Sequence, residues 1–409
     1  MFLRLIVFCL ISFFGIAQED LSSESRYVGF NFSVGVLGDS NTSFPEHNLQ
    51  KSFFLNIGKH HSGTQKDWAY HLNNPKTGLS LGFSDLGNKD ALGHVYSILP
   101  YAEFPLFSKR TDRLNLLVAF GGSYMSKGYD KEINPFNKGV STRLNWSYKS
   151  FFYYDFIKKQ NATWRLGLGY FHHSNGHVRK PNRGYNSFLF GVSGEFKRPI
   201  SIIDTTVNPP NRTSQWFYEG RFGIGQNSFS DVFNEKEEVY TAAFSGGKII
   251  NKTFKFGAGF YYHFYKHYYN YIINNETLVR TEKPHFKDYP IRYASNLGFF
   301  GSAELLLGHV GMEMNVGINF FKPFYKIDWQ LNEGYTYFSD GEETIVLGEL
   351  SSYYQIKRYV FSRMGLKYYL WNTENTPKHN FYAGAFINAN LGQADFSEFT
   401  LGYVHRFSF

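Results

Sequence analysis

"TFKFGAGFYYHFY" (residues 253–265) places Phe254, Phe256, Ala258, Phe260, Tyr262 and Phe264 on one face of an extended chain. The other face carries Lys255, Gly257, Gly259, Tyr261 and His263. Strict alternation with period two is the signature of a β-strand. One face is too aromatic for water, and the other is too polar for the core of a sandwich. A membrane-spanning barrel reconciles them, with an apolar outer face, aromatic girdles and a polar interior. In lipid every strand edge must be paired, so the sheet has to close.

The same alternation recurs along the chain. "RYVGFNFSVGV" (26–36), "KTGLSLGFSDLG" (76–87), "VYSILPYAEFPLF" (95–107), "DRLNLLVAFGGSY" (112–124), "SQWFYEGRFGIG" (214–225) and "FYAGAFINANLG" (381–392) all show it between turn-rich gaps. About sixteen such runs can be found. They predict an all-β fold, a closed antiparallel barrel with an even number of strands, on the order of 12 to 16. The weakest runs are "SFFLNIGKHH" (52–61) and residues 351–370, which can begin as a short helix. No domain boundary is evident. The Pro-containing "RPISIIDTTVNPPNRT" (198–213) reads as a link between two halves of one barrel, and 268–289 and 322–350 read as long loops.

Composition agrees. Of the 409 residues, 20% are aromatic, and the formal net charge is +8. Mean hydropathy is −0.35, and no internal run approaches the ~20 apolar residues of a spanning helix. "MFLRLIVFCLISFFGIAQED" (1–20) has the plan of a secretory signal peptide, with cleavage expected after Ala17. Cleavage would remove Cys9, the only cysteine, so an exported chain would be held by its fold and not by disulfides. A basic exported protein suits an anionic surface, and no nucleic-acid partner is expected. The final "EFTLGYVHRFSF" (398–409) alternates aromatics up to Phe409. It resembles the C-terminal signal that engages the barrel insertion machinery of bacterial outer membranes.

One hairpin stands apart. In "WRLGLGYFHHSN" (164–175) the apolar face runs Trp164, Leu166, Leu168, Tyr170 and then continues through His172 and Ser174. Asn186 extends the apolar face of the next strand, which carries Phe188, Phe190 and Val192. All three polar groups therefore point outward at one end of the hairpin, where interfacial depth makes them tolerable. A His, a Ser and an amide on adjacent strands form a base, nucleophile and orienter set. The turn between them holds Arg179, Lys180 and Arg183 and no acid, which suits a phosphorylated lipid. His173 falls on the lumen side, so a metal shared by His172, His173 and His177 is not expected. Neither is any cofactor. "GKHHS" (58–62) and "HFYKHYYNY" (263–271) read as loop and girdle residues.

"HHSNGHVRKPNRGYN" (172–186) resembles the signature of the lipid A 3-O-deacylases, the PagL-like or acyloxyacyl hydrolase family of outer-membrane barrels. The family's pattern is His-x-Ser-Asn, a turn with Asn-x-Gly and an acidic or amide residue two positions on, and His172, Ser174, Asn175, Asn182, Gly184 and Asn186 match it position by position. Residues 66–83, 92–106 and 124–145 also resemble longer members, so the likeness covers about 50–197. Residues beyond 213 match only barrel strands. The family orients its His with Glu, where this chain has Asn186. By parity Glu195 points into the lumen and cannot replace it.

The resemblance implies a carboxylic ester hydrolase of the bacterial outer membrane that acts on lipid A of lipopolysaccharide in the outer leaflet. Ser174 would attack an acyl ester, His172 would move the proton, and Asn186 would orient His172. Asn175, Asn182 and the Gly184 backbone N–H are candidates for holding the oxyanion, and Arg179, Lys180 and Arg183 for the substrate phosphates. The alternative is a transport barrel or channel with an open lumen; a structural or lipid-binding barrel is a third reading. A lipid A hydrolase needs its site at the surface rim. With a periplasmic N-terminus, the strand ending at Ser174 must then be odd-numbered, which makes it the seventh if 52–61 is a true strand.

Overall fold

The structure, a computed structural model, describes residues 25–107, 111, 113–197, 209–339 and 342–407. The expected signal peptide and Phe409 lie outside the described residues. The alternating runs are strands. β1 (Ser25–Gly38), β2 (Gln50–His60), β3 (Lys76–Asp85), β4 (His94–Leu106), β5 (Leu114–Met125), β6 (Leu144–Lys158), β7 (Ala162–Ser174) and β8 (Tyr185–Lys197) pair in sequence order. The ladder does not continue past β8. Phe190 of β8 lies opposite Val34 of β1, and the sheet closes there as an eight-stranded barrel.

A second barrel follows. It contains β9 (Ser214–Asn227), β10 (Glu237–Ile250), β11 (Phe254–Tyr265), β12 (Ser295–Leu307), β13 (Val310–Phe321), β16 (Val360–Tyr369), β17 (His379–Asn390) and β18 (Gln393–Phe407). Leu401 of β18 returns to Phe222 of β9 and closes it. A separate hairpin, β14 (Tyr335–Ser339) and β15 (Glu342–Val346), stands outside the barrel.

The expectation of one barrel of about 12 to 16 strands is therefore corrected: the described residues form two closed barrels of eight. The cause is physical. Alternation reports that a strand has a lumen face and an outer face, but which edges meet is fixed only by the β8–β1 and β18–β9 ladders. The weak run at 52–61 is strand β2, so Ser174 does end the seventh strand. Residues 351–370 do begin as a helix, Ser352–Tyr359, capped by the Ser351 hydroxyl and followed by β16.

An eight-stranded barrel is just wide enough to be filled by its own side chains. In the first barrel Arg165 reaches Glu103 (2.6 Å) and Asp155 (2.9 Å), and Lys76 reaches Glu195 (2.5 Å), all buried. In the second, Lys367 lies 3.0 Å from each of Glu219, Glu304 and Glu313, and Arg363 joins Glu313 to Glu398 at 2.8 Å. Buried charges persist only when paired, and here the pairs tie lumen faces of different strands together. The Glu219, Glu304 and Glu313 carboxylates converge closely enough to ligate a metal ion, but Lys255, Lys367 and Arg363 already pair with them. Outside, the aromatic face is exposed: Phe222 is 74% accessible and Phe188 65%.

The segments expected as long loops, 268–289 and 322–350, hold the helices Lys266–Ile273, Thr277–Glu282 and Tyr325–Asn332 and the β14–β15 hairpin, and a further helical turn, Pro290–Tyr293, leads into β12. Tyr268 and Tyr271, read from sequence as loop or girdle residues, pack inward there against Phe229, Val279 and Phe324. The barrels touch at both ends. At the Ser174 end the 175–184 loop meets residues 228–234 and Asn332; at the other, Lys252 pairs with Asp67 at 2.9 Å.

Two closures imply separability. A protease site inserted at the exposed Asn211 should give two fragments after cutting. Each should migrate on unboiled gels as a compact, heat-modifiable species. A single large barrel would instead yield two fragments lacking that behaviour.

Candidate active site on the outer wall of the first barrel

Register places the three expected residues together. His172 and Asn186 are directly opposite across β7 and β8, and Ser174 is opposite Trp146 of β6. Period-two alternation turns these side chains outward while sending His173 inward. His173 is fully buried in the lumen, with Nδ1 2.7 Å from Ser147 Oγ. The barrel wall thus separates it from His172, and a shared metal site is not formed.

Asn186 Oδ1 is the hub of the wall. It accepts from the Tyr170 hydroxyl at 2.5 Å and lies 2.8 Å from His172 Nδ1. An amide oxygen only accepts, so His172 donates its Nδ1 proton and carries its lone pair on Nε2. The Tyr170 ring stacks near-parallel to His172, at 11°. Ser174 Oγ accepts from the Gly176 N–H and from Asn182 Nδ2, each at 3.1 Å. Among the described residues it is these amides, and not His172, that bond the hydroxyl. Two accepted bonds leave the hydroxyl its own proton to give.

The remaining expected residues divide. Asn182 Oδ1 also accepts from the Asn175 N–H at 2.9 Å, which fastens the loop to the end of β7. The Asn175 side-chain amide donates to Arg179 O at 2.6 Å and to Ser141 Oγ at 3.2 Å, so it braces the loop from within. The Gly184 N–H is already given to Gly139 O at 2.8 Å. What Gly184 supplies is space: its φ is +76°, and a Cβ there would stand 2.8 Å from His172 Cε1. Arg179 and Arg183 are exposed on the loop surface. Lys180 is buried and bonded to Asn332 of the second barrel. Burial pushes its ammonium below the usual lysine range, against the pull of Asp328, Asp231, Glu333 and Asp395. Burial likewise raises Asp328 to about 7, although Lys180 and Lys322 oppose the rise.

Sequence reasoning missed the Gly176 N–H, Tyr170 and the second-barrel partners of the loop. Tyr170 was open to discovery, because it sits two residues before His172 on the same face. The rest depended on loop conformation and on a neighbour far away in sequence.

A family description matches residues 56–194, from within β2 to within β8: Lipid A 3-O-deacylase (PagL). The first barrel is a PagL-family domain. It is thus the domain of a family of lipid A 3-O-deacylase hydrolases, and the match ends before the second barrel begins. Among curated proteins none matches the chain. The crystal structure of the outer membrane enzyme PagL is similar at 16% identity, covering 40% of this chain and 97% of its own, with a TM-score of 0.28. The siderophore receptor PirA from Pseudomonas aeruginosa is similar at 7% identity over 95% of this chain and 81% of its own, TM-score 0.26. CdiB from Acinetobacter baumannii is similar at 10% identity over 93% and 60%, TM-score 0.16.

In the PagL-family domain the close approach of Gly184 makes a specific demand. Gly184→Ala should displace the imidazole and strain the backbone at a positive φ. Ester hydrolysis by this variant is expected to fall by about 100-fold, with heat-modifiable migration retained. Unchanged turnover would show that His172 does not need its present position.

Proposed function

We propose that the first barrel hydrolyses an ester-linked acyl chain of lipid A in the outer leaflet of a bacterial outer membrane, through Ser174 and His172 on the outer wall. The observation that carries this reading is the wall itself. A histidine with its Nδ1 proton committed to Asn186 stands two residues from a serine whose oxygen faces two amide donors.

The chemistry follows from these groups. Ser174 Oγ attacks the acyl carbonyl while His172 Nε2 takes its proton. As Oγ bonds to the carbonyl carbon it becomes a poorer acceptor, and the Gly176 N–H and Asn182 Nδ2 are freed for the oxyanion of the tetrahedral intermediate. A well-placed donor of this kind contributes about 3–4 kcal/mol to the transition state. His172 returns the proton to the leaving sugar oxygen, and water then releases the acyl group by the reverse sequence. Asn186 holds ring orientation and tautomer but adds no negative charge to stabilise the imidazolium. Arg179 and Arg183, exposed beside the site, suit the phosphates of lipid A. A transport role finds less support, because both lumens are filled by buried ion pairs.

Ser174→Ala and His172→Ala should each lower fatty-acid release from lipid A by about 1000-fold or more, with both barrels folded. Mass spectrometry of lipid A from cells carrying each variant checks this, and normal deacylation by Ser174→Ala would refute the mechanism.

Orientation is tested separately. Cys9 is the only cysteine in the sequence, so Arg179→Cys introduces a single reporter into the chain after cleavage. A membrane-impermeant maleimide should label it on intact cells. Labelling only after the outer membrane is permeabilised would place the site in the inner leaflet and remove lipid A as its substrate.

A further inference from the structure

The loop that carries Gly176 and Asn182 is not held by its own barrel alone. The first barrel grips its second half: the Arg183 N–H donates to Lys138 O at 3.1 Å, the Gly184 N–H to Gly139 O at 2.8 Å, and Ser40 Oγ to Gly184 O at 2.6 Å. Ser141 Oγ adds a bond to Arg179 O at 2.9 Å. The middle of the loop is gripped from the other side. The Asn234 side chain accepts from the Lys180 N–H and donates to Lys180 O, both at 2.7 Å. A primary amide carries its donor and acceptor on separate atoms and so can pair with a peptide N–H and C=O at once, as it does here across the seam between the barrels. Ser228 donates to His177 O through its N–H at 2.9 Å and its hydroxyl at 3.3 Å. Ser397 Oγ donates to Gly176 O at 3.3 Å and accepts from Trp146 Nε1 at 2.8 Å. The Lys180 ammonium enters the second barrel's cap and bonds Asn332.

We propose that the second barrel is a positioning element of the catalytic site, with Asn234 as its principal positioning residue: by holding the Lys180 backbone it sets the loop that aims the Gly176 and Asn182 amides at Ser174. This rests on the deacylase reading of Ser174 and goes beyond it, since the family match stops before the second barrel. The proposal explains why the turn's most buried cation faces away from any substrate. It also explains the tight packing at Gly176, whose φ is +64° and where a Cβ would fall 2.0 Å from Ser397 Oγ. The donors to Ser174 lie on either side of the gripped residue. A loop released at Lys180 is therefore free to drift at both, and displacements of about 1 Å in such groups cost on the order of 100-fold in rate.

The test uses the full chain. Asn234→Leu keeps the volume of the side chain and removes both bonds. With lipid A as substrate, kcat should fall at least about tenfold, with KM changed less than twofold. Hydrogen exchange of the amides from Gly176 to Arg183 should accelerate, while the strands of both barrels keep their protection. Lys252→Ala is the control: it breaks the ion pair with Asp67 at the far end of the seam and should leave kcat and loop exchange unchanged. Full kcat in Asn234→Leu with unaltered exchange would overturn the proposal, as would an equal loss in Lys252→Ala, which would mean that barrel association matters and not the grip on the loop. Exchange is read without turnover. A wild-type chain that released no fatty acid would therefore overturn the deacylase reading, and the grip would still stand or fall on the exchange of Gly176 to Arg183.

Discussion

Closure of strand edges is the constraint on which the rest of this molecule depends. A strand bordering lipid has no water to satisfy its N–H and C=O groups, so the ladder must return to its beginning. It returns twice, at β8–β1 and at β18–β9. Eight strands leave a bore that side chains fill, and the charged interiors follow from that. With the lumen solid, binding chemistry is left to the walls and rims. The His172, Ser174 and Asn186 group sits on a wall at the rim where β7 ends.

The sequence made some of this legible and hid the rest for identifiable reasons. Alternation located the strands, including the doubtful run that became β2, and the placement of Ser174 at the end of the seventh strand depended on that run. Parity placed His172 and Asn186 outward and His173 and Glu195 inward, because side-chain direction in a strand is a local property. Closure was not legible, since hydrogen bonding between strands distant in sequence leaves no trace in periodicity. Residues 198–213 were legible as a break but not as a break between closed bodies. The loop was the least legible part. Lys180 has the same sequence context as Arg179 and Arg183, yet it is buried while they are exposed. Its direction is set by Asn234 and Asn332, which are remote in sequence and belong to another barrel.

Charge is handled in opposite ways on the two sides of the wall. Inside, Arg165 of β7 is paired with Glu103 of β4 and Asp155 of β6, and Lys149 lies over the Phe54 and Phe151 rings. Outside, the polar groups of the site are neutral. Asn186 stands where the family's motif has an acid, and Tyr170 and His172 share its oxygen. A lone carboxylate facing hydrocarbon would carry a heavy desolvation cost. An amide carries a smaller one and still fixes the tautomer, at the expense of electrostatic help to the imidazolium.

The second barrel also changes what the site faces. Leu168, on the same strand face as Ser174 and deeper along it, is 62% exposed, and Phe188 and Phe190 on β8 are similarly open. Ser174 itself is only 5% exposed, and beside it Gly176 is wedged between Trp146 and Ser397 of the second barrel. One flank of the site is thus protein and the other is bare, apolar barrel wall. The second barrel meets the site on its β6 side, where the Trp146 indole donates to the Ser397 hydroxyl. Because that neighbour lies on the same chain, its local concentration is fixed by the linker and does not depend on encounter in the membrane. A covalently attached barrel can therefore shape the approach to the site in every copy of the protein, whatever its abundance, which a separately encoded partner could do only by binding.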